Sequence, residues 1–371
     1  MNRTYHRIIT ALFCIFFGGI ALLSLLLPKQ TFSPQENRNL AGTPDFSWKR
    51  IMDGRFMDES EEYVSDHIAL RDEWVALRAW CERLSGKREN NGIYFAADDT
   101  LISRVDDPDE ARLEKNISYL NALCDHTEIP VSFGLIPTAA SIWRSKLPTG
   151  APSADEDLWI RDLYAQTTAQ TVDIGSALFA HEGEAIYYRT DHHWTSLGAF
   201  YGANAVLEAL GYSPLSLDDY EKTTVSESFC GTSWSSAGAR WVRADSIDIY
   251  VPSDGISVVS NFTGTPVEGS LYVPDYLTQK NQYAFFLGGN QPLCIVKSHS
   301  EGEKLLLIRD SYSDSLAPFL SQRFSEIHLF DPRYNLTSIQ DYIEENGIDR
   351  VLVLYSFSNF ASEKNLFLLA R

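Results

Sequence analysis

Two short stretches of this chain hold the residue types that nucleophilic acyl transfer needs. Thr190-Asp191-His192-His193-Trp194-Thr195 sets a carboxylate two residues from an imidazole. Leu305-Leu306-Leu307-Ile308-Arg309-Asp310-Ser311-Tyr312 sets a serine just after an apolar run that reads as a buried strand. A serine hydroxyl is a weak nucleophile until a base takes its proton. His193 is the candidate base and Ser311 the candidate nucleophile, with Asp191 holding the ring in the working tautomer and stabilising the imidazolium. In an extended segment alternate side chains face opposite ways, which expects His192 on the far side from His193. Plainer readings stand beside these. Ser311 or Ser313 could cap a helix, and Asp191 to His193 could be a solvated turn. Those three residues could also bind a metal, although no other His or carboxylate motif supplies a matching spacing. Gly288-Gly289-Asn290 is a third stretch, where glycine lets backbone approach a ligand and the Asn290 amide could donate to an oxyanion. Gly289, Tyr312 and Arg309 complete the oxyanion or substrate candidates.

The two main stretches lie far apart in sequence, so the fold must bring them together. From Pro108 onward, patterns of helical and strand period alternate. Glu110–Cys124 reads as a helix, Val131–Ile136 as a strand, and Gly198–Leu210 as a helix closed by Gly211. Leu305–Ile308, Ile327–Phe330 and Val351–Tyr355 read as strands, with helices over Leu316–Arg323 and Ile339–Asn346 between them. Such alternation predicts a parallel sheet with helices on both faces, whose reactive groups gather beyond the carboxyl ends of the strands. Residues 222–300 break the rhythm, with short strands expected at Ile247–Val251, Ile256–Val259, Gly269–Val273 and Tyr283–Leu287, a β-rich insertion beside the sheet. Trp48–Leu84 reads as two helices, with Phe56, Tyr63, Ile68, Leu70, Leu77 and Trp80 among their core-facing positions.

Ile8 to Leu27 is a run of 20 residues without a formal charge. As a helix it would span about 30 Å, the hydrocarbon thickness of a bilayer. Arg3 and Arg7 precede it, which places residues 1–7 in the cytoplasm and the remainder outside. The run ends without a small-x-small cleavage site, which favours a signal anchor over 8–27 above the competing reading, a cleaved signal peptide; a polar linker over 28–47 and an extracytoplasmic domain over 48–371 follow. Fifty acidic residues against 31 basic ones give a net charge of −19, which leaves no electrostatic footprint for nucleic acid. Cys14 lies in the apolar run, and the spacing of Cys81, Cys124, Cys230 and Cys294 suggests neither zinc nor a particular disulfide pairing.

At these residues the chain resembles the DHHW protein family. Its name-giving motif stands here as Asp191-His192-His193-Trp194. The likeness begins at Phe32-Ser33-Pro34-Gln35-Glu36-Asn37-Arg38 and Asp53-Gly54, and continues through Ser65-Asp66-His67 and Arg71-Asp72. It then takes in Gly288-Gly289-Asn290, Arg309-Asp310-Ser311-Tyr312, Pro318-Phe319-Leu320 and Asp331-Pro332-Arg333-Tyr334. That family is similar, more distantly, to the SGNH-hydrolase-like alginate O-acetylation proteins, which use an Asp-x-His-Trp motif and a later Asp-Ser as a Ser-His-Asp triad. The glycine usual before that Asp-Ser is Arg309 here. The resemblance implies an SGNH-like three-layer α/β domain whose triad falls on Ser311, His193 and Asp191. It implies acetyl transfer to a cell-envelope polysaccharide, with a polytopic membrane acyltransferase as the partner that delivers the acyl group. A carbohydrate esterase with the same triad and a non-catalytic glycan-binding protein are the alternatives. No cofactor is indicated.

Overall fold

The computed structural model describes residues 3–33, 38–261 and 265–371. Residues 1–2 of the expected cytoplasmic terminus, and Pro34-Gln35-Glu36-Asn37 of the shared motif, lie outside the described residues. The chain divides into two compact units, Met1–Asn90 with Ser235–Trp241, and Asn91–Trp234 with Val242–Arg371.

The first unit is helical. Helix α1 (Arg3–Leu26) buries none of its residues, and it is the one helix among those described that is long and apolar enough to cross a membrane. Where the sequence suggests two helices there are three: α2 (Trp48–Met52), α3 (Arg55–Asp66) and α4 (Arg71–Leu84). The buried carboxylate of Asp66 ends α3 and holds the Arg38 guanidinium at 2.9 Å and the Ala41 N–H at 2.8 Å. The returning segment seats Trp241 against Trp80, with ring centroids 4.8 Å apart, and the Arg83 guanidinium lies 4.5 Å from the Trp241 ring. Ile68, Leu70, Leu77, Trp80 and Leu84 are exposed, so the helical spacing that marks them as core positions overstates their burial.

The second unit carries the sheet. In chain order it contains the hairpin β1 (Ile93–Ala96) and β2 (Thr100–Ser103), then α5 (Glu110–His126), β3 (Val131–Ile136), α6 (Glu156–Tyr164) and β4 (Gln170–Val172). Helix α7 (Ser196–Ala209) leads into β5 (Thr223–Phe229), β6 (Asp245–Ile249), β7 (Ser257–Ser260), β8 (Val267–Gly269) and β9 (Leu293–Lys297). The chain closes with β10 (Lys304–Arg309), α8 (Ser313–Leu320), β11 (Glu326–Phe330), α9 (Ile339–Asn346), β12 (Arg350–Ser356) and α10 (Phe357–Ser362).

Eight strands form one sheet in the order β8-β7-β9-β11-β10-β12-β3-β4. The run β11-β10-β12-β3-β4 is parallel. Its central strands carry uninterrupted apolar runs because both faces are covered: Leu305–Ile308 and Val351–Tyr355 are each 0% exposed. The sequence pattern therefore reads these strands correctly. The insertion behaves differently. Rather than forming only a lobe beside the sheet, it sends β7, β8 and β9 to extend the sheet antiparallel from β11, while β5 and β6 pair separately. Gly269–Val273 is not a strand, since pairing with β7 stops at Gly269. Tyr283–Leu287 is not one either. Gln282–Phe285 makes a 3₁₀ turn that packs Tyr283, Phe285 and Phe286 into a second aromatic cluster with Tyr188 and Phe229. The continuous apolar run reflects that burial, and the two segments share only an isolated antiparallel bridge between Tyr272 and Phe286. All five cysteines are free thiols.

Candidate active site

Ser311 lies in the turn between β10 and α8, at the carboxyl edge of the sheet. A serine there must be held without being buried, and Asp310 does the holding. Its carboxylate is 0% exposed. Oδ1 accepts the Tyr312 N–H at 3.0 Å, and Oδ2 accepts the Ser356 N–H, the Ser356 hydroxyl and the Asn359 amide, each at 2.8 Å. Ser356 ends β12, the parallel neighbour of β10, so one carboxylate ties the serine turn to the next strand's end. The buried charge is tolerable because donors surround it.

The Asp191 motif is pinned from the other side. Thr195 caps α7, its hydroxyl accepting the Gly198 N–H at 3.2 Å. Trp194 is 0% exposed, and its indole N–H lies 2.9 Å from the Tyr312 carbonyl and 3.0 Å from Ser315 Oγ. The ring reaches that position because Gly202 of α7 leaves room, where a Cβ would stand 2.6 Å from it. Trp194 thus clamps the histidine segment onto the start of α8.

The two stretches meet. His193 Nε2 is 2.7 Å from Ser311 Oγ, and His193 Nδ1 is 2.6 Å from Asp191 Oδ1. Asp191 is 3% exposed and also accepts, at Oδ2, the Thr232 N–H at 2.7 Å and the Thr232 hydroxyl at 3.0 Å. Burial opposes its ionisation, but the imidazoles of His192 and His193 and these hydrogen bonds outweigh burial and hold the carboxyl well below the usual carboxylate range. The Tyr283 ring stacks on His193, with centroids 3.8 Å apart and planes 9° apart, while the Tyr283 hydroxyl lies 3.1 Å from the Ser311 carbonyl. Serine, imidazole and carboxylate form one hydrogen-bonded line whose every member is fixed by a neighbour.

The remaining sequence candidates have other partners. Arg309 is 0% exposed and sits 2.9 Å from the Asp314 carboxylate, so it is a buried ion pair and presents nothing to a substrate. The Gly289 N–H donates to the Phe286 carbonyl at 3.2 Å, which closes a turn and leaves no donor for an oxyanion. Asn290 is exposed, and its Oδ1 faces an Arg333 N–H at 3.5 Å. Tyr312 is 2% exposed, and its hydroxyl donates to the His192 carbonyl, which makes it a brace across the site. His192 does not turn away. Bends at 190–193 replace the extended segment, and its ring lies beside His193 at 3.9 Å between centroids. Asp191, His192 and His193 do cluster closely enough to offer ligand atoms to a metal, but Asp191 Oδ1 and both His193 nitrogens are already engaged. Sequence reasoning gave no role to Asp310, Thr232 or Tyr283. Asp310 abuts the serine and Thr232 follows a glycine, which are faint signals, whereas Tyr283 is hidden inside an apolar run.

The sheet with five adjacent parallel strands, covered by helices, has the SGNH-hydrolase-like α/β fold, and the line from Asp191 to Ser311 lies at its carboxyl edge. Within that class, residues 160–330 match the DHHW protein family, as the motif suggests. A DHHW family protein from Eubacterium siraeum has a similar structure, 27% identical with a TM-score of 0.67, over 76% of this chain and 95% of that one. Bacillus cereus PatB1, solved with a sulfonyl adduct, shares the fold at 20% identity and a TM-score of 0.62, over 75% of this chain and 98% of that one. The O-acetyltransferase domain of Pseudomonas putida AlgJ is a more distant match, 13% identical with a TM-score of 0.47, over 74% of this chain and 94% of that one. No curated protein matches the chain.

Proposed function

We infer that this protein is a membrane-anchored, outward-facing O-acyltransferase that moves an acyl group, acetyl by its family resemblance, onto a cell-envelope polysaccharide. The observation that carries this reading is the line from Asp191 through His193 to Ser311, with contacts of 2.6 and 2.7 Å. Ser311 Oγ attacks the donor's acyl carbonyl while His193 Nε2 takes its proton, and the donor's leaving group departs with that proton. A sugar hydroxyl then attacks the acyl-serine, gives its proton to His193, and Ser311 recovers a proton as it leaves. Asp191 holds Nδ1 throughout. The Ser311 N–H, which donates to no group among the described residues, is our choice of oxyanion donor. Helix α1 supplies the anchor, and the acyl donor must be delivered across the membrane by a partner, for which a polytopic acyltransferase is the reading taken from the resemblance.

Full-length protein in detergent, given a small activated acetyl ester, tests this by intact mass and peptide mapping. Acetyl on Ser311 that disappears in His193→Ala is the expected result. A folded sample that shows neither adduct nor ester hydrolysis would overturn the enzyme reading in favour of a glycan-binding protein. Adduct that water clears as fast as any sugar does would make it an esterase.

A further inference from the structure

The Asp-His-His-Trp motif holds a second imidazole that the triad leaves without a task. His192 lies beside His193, the planes 37° apart, and its side chain is 38% exposed where that of His193 is 8% exposed. It is therefore the imidazole at the solvent side of the pair. Its tautomer follows from counting protons. The Asp191 carboxylate only accepts, and the Thr232 hydroxyl donates its single proton to Oδ2 at 3.0 Å. Toward His192 Nδ1, 2.7 Å away, that hydroxyl can offer only a lone pair, so Nδ1 must carry a hydrogen. Asp191 Oδ1 at 3.5 Å from the same nitrogen favours the same choice. In the neutral ring Nδ1 then holds the only proton. Nε2 is then a bare acceptor. No hydrogen bond from the described residues reaches it, and it is not among the buried atoms sealed away without a partner.

We propose that His192 Nε2 is a positioning group for the acyl acceptor, taking a hydrogen bond from the donor on the carbon next to the reacting hydroxyl. This rests on the reading of Ser311 as the acylated residue. The attacking hydroxyl has one proton, and His193 must receive it as the new carbon–oxygen bond forms and the bond to Ser311 Oγ breaks. His192 exchanges no proton, so its partner is a second donor. Substituents on adjacent carbons of a pyranose stand about one hydrogen bond apart, which suits two imidazoles lying side by side at 3.9 Å. The acceptor class is therefore a sugar bearing a vicinal diol, or a hydroxyl beside an amide N–H, rather than an isolated hydroxyl.

The full-length protein, pre-acetylated by the activated ester, would be offered trans-1,2-cyclohexanediol or cyclohexanol, with transfer read by mass. Wild type is expected to favour the diol by about tenfold in kcat/KM, the worth of one well-placed hydrogen bond. In His192→Phe the preference should vanish through a raised KM for the diol. His192→Gln, whose amide oxygen can still accept, should restore part of it, which a merely structural role would not. Acetylated Ser311 in wild type with no diol preference, or equal losses for both alcohols in His192→Phe, would overturn the proposal alone. No acetyl on wild-type Ser311 would overturn the triad reading and this one with it. Nitrogen-15 NMR of the ring gives a check without turnover: Nδ1 protonated and Nε2 bare is expected, and the opposite tautomer is incompatible with the proposal.

Discussion

Asp310→Asn is the sharpest test of how the serine is held, because it changes one atom and no shape. In the native turn Oδ2 receives three donors at 2.8 Å and Oδ1 a fourth at 3.0 Å. An asparagine can keep its oxygen among the three donors of Ser356 and Asn359, but its NH₂ then faces the Tyr312 N–H, donor against donor. A buried N–H left without an acceptor costs about 1–3 kcal/mol, and turning three charge-assisted bonds into neutral ones removes about 1 kcal/mol more from each. The sum, about 4–6 kcal/mol, is comparable with the whole stability of a typical domain. Urea unfolding of the full-length protein in detergent, followed by tryptophan fluorescence, would measure it. The same variant should lose about 10²-fold in Ser311 acylation under conditions where it is still folded, since a shift of about 1 Å in a reacting group has that effect. A loss below about 1 kcal/mol with acylation intact would refute the idea that Asp310 positions the turn. A double-mutant cycle with Ser356→Ala sharpens the test, because a real shared network must show a coupling of about 0.5–3 kcal/mol.

Two further outcomes follow from close contacts and from burial. In Gly231→Ala the new Cβ would stand 2.2 Å from Asp191 Oδ2, so the Asp191 carboxylate must move; on the proposed function acyl transfer should fall about 10²-fold, and unchanged kcat/KM on an activated ester would contradict this reading. Glu156 is 0% exposed and burial pushes it up to about 7 despite hydrogen bonds from the Thr138 N–H and hydroxyl, so the fold favours its protonated form. Its contribution is thus full below the unfolded value near 4.5 and is lost as pH rises through 7, about 3 kcal/mol in all. Glu156→Gln should flatten that decline in urea midpoints between pH 5 and 8, and an equally steep decline would show that Glu156 is not its source.

The legible part of the fold is the part whose residues face a single environment. Leu305–Ile308 and Val351–Tyr355 are buried on both faces, so uninterrupted apolar runs announce them as central parallel strands. Short polar motifs announce the hydrogen-bonded line from Asp191 to Ser311, because a carboxylate, an imidazole and a hydroxyl are rare residue types against an apolar background. What sequence could not reveal depends on contacts between distant segments. Thr232 matters through a carboxylate 41 positions away, and Tyr283 through a ring it stacks on 90 positions away. The insertion misleads for a related reason: Tyr283–Phe286 is apolar because it fills an aromatic cluster, and the same run would have served a strand. Alternation misplaces His192 because it holds only where the backbone is extended, and residues 190–193 bend.

Arg309 shows how an exception to a motif can be accommodated beneath the site. Asp191, Asp310 and Asp314 are all buried close to the serine turn, a concentration of negative charge that a dry interior opposes. Asp191 has its imidazoles and Asp310 its four donors. Asp314 has neither, and burial raises it to about 6 even with Arg309 and His193 nearby to oppose the rise. A small residue at position 309 would leave that acid facing apolar strands with no cation beside it. The guanidinium at 2.9 Å supplies the missing countercharge, from a side chain that never reaches solvent. A buried pair of this kind adds little net stability, yet removing one member strands the other at a cost of about 3–5 kcal/mol. Arg309 and Asp314 are therefore best read as a mutually neutralising buried pair beneath the site, which leaves the hydrogen-bonded line from Asp191 to Ser311 untouched.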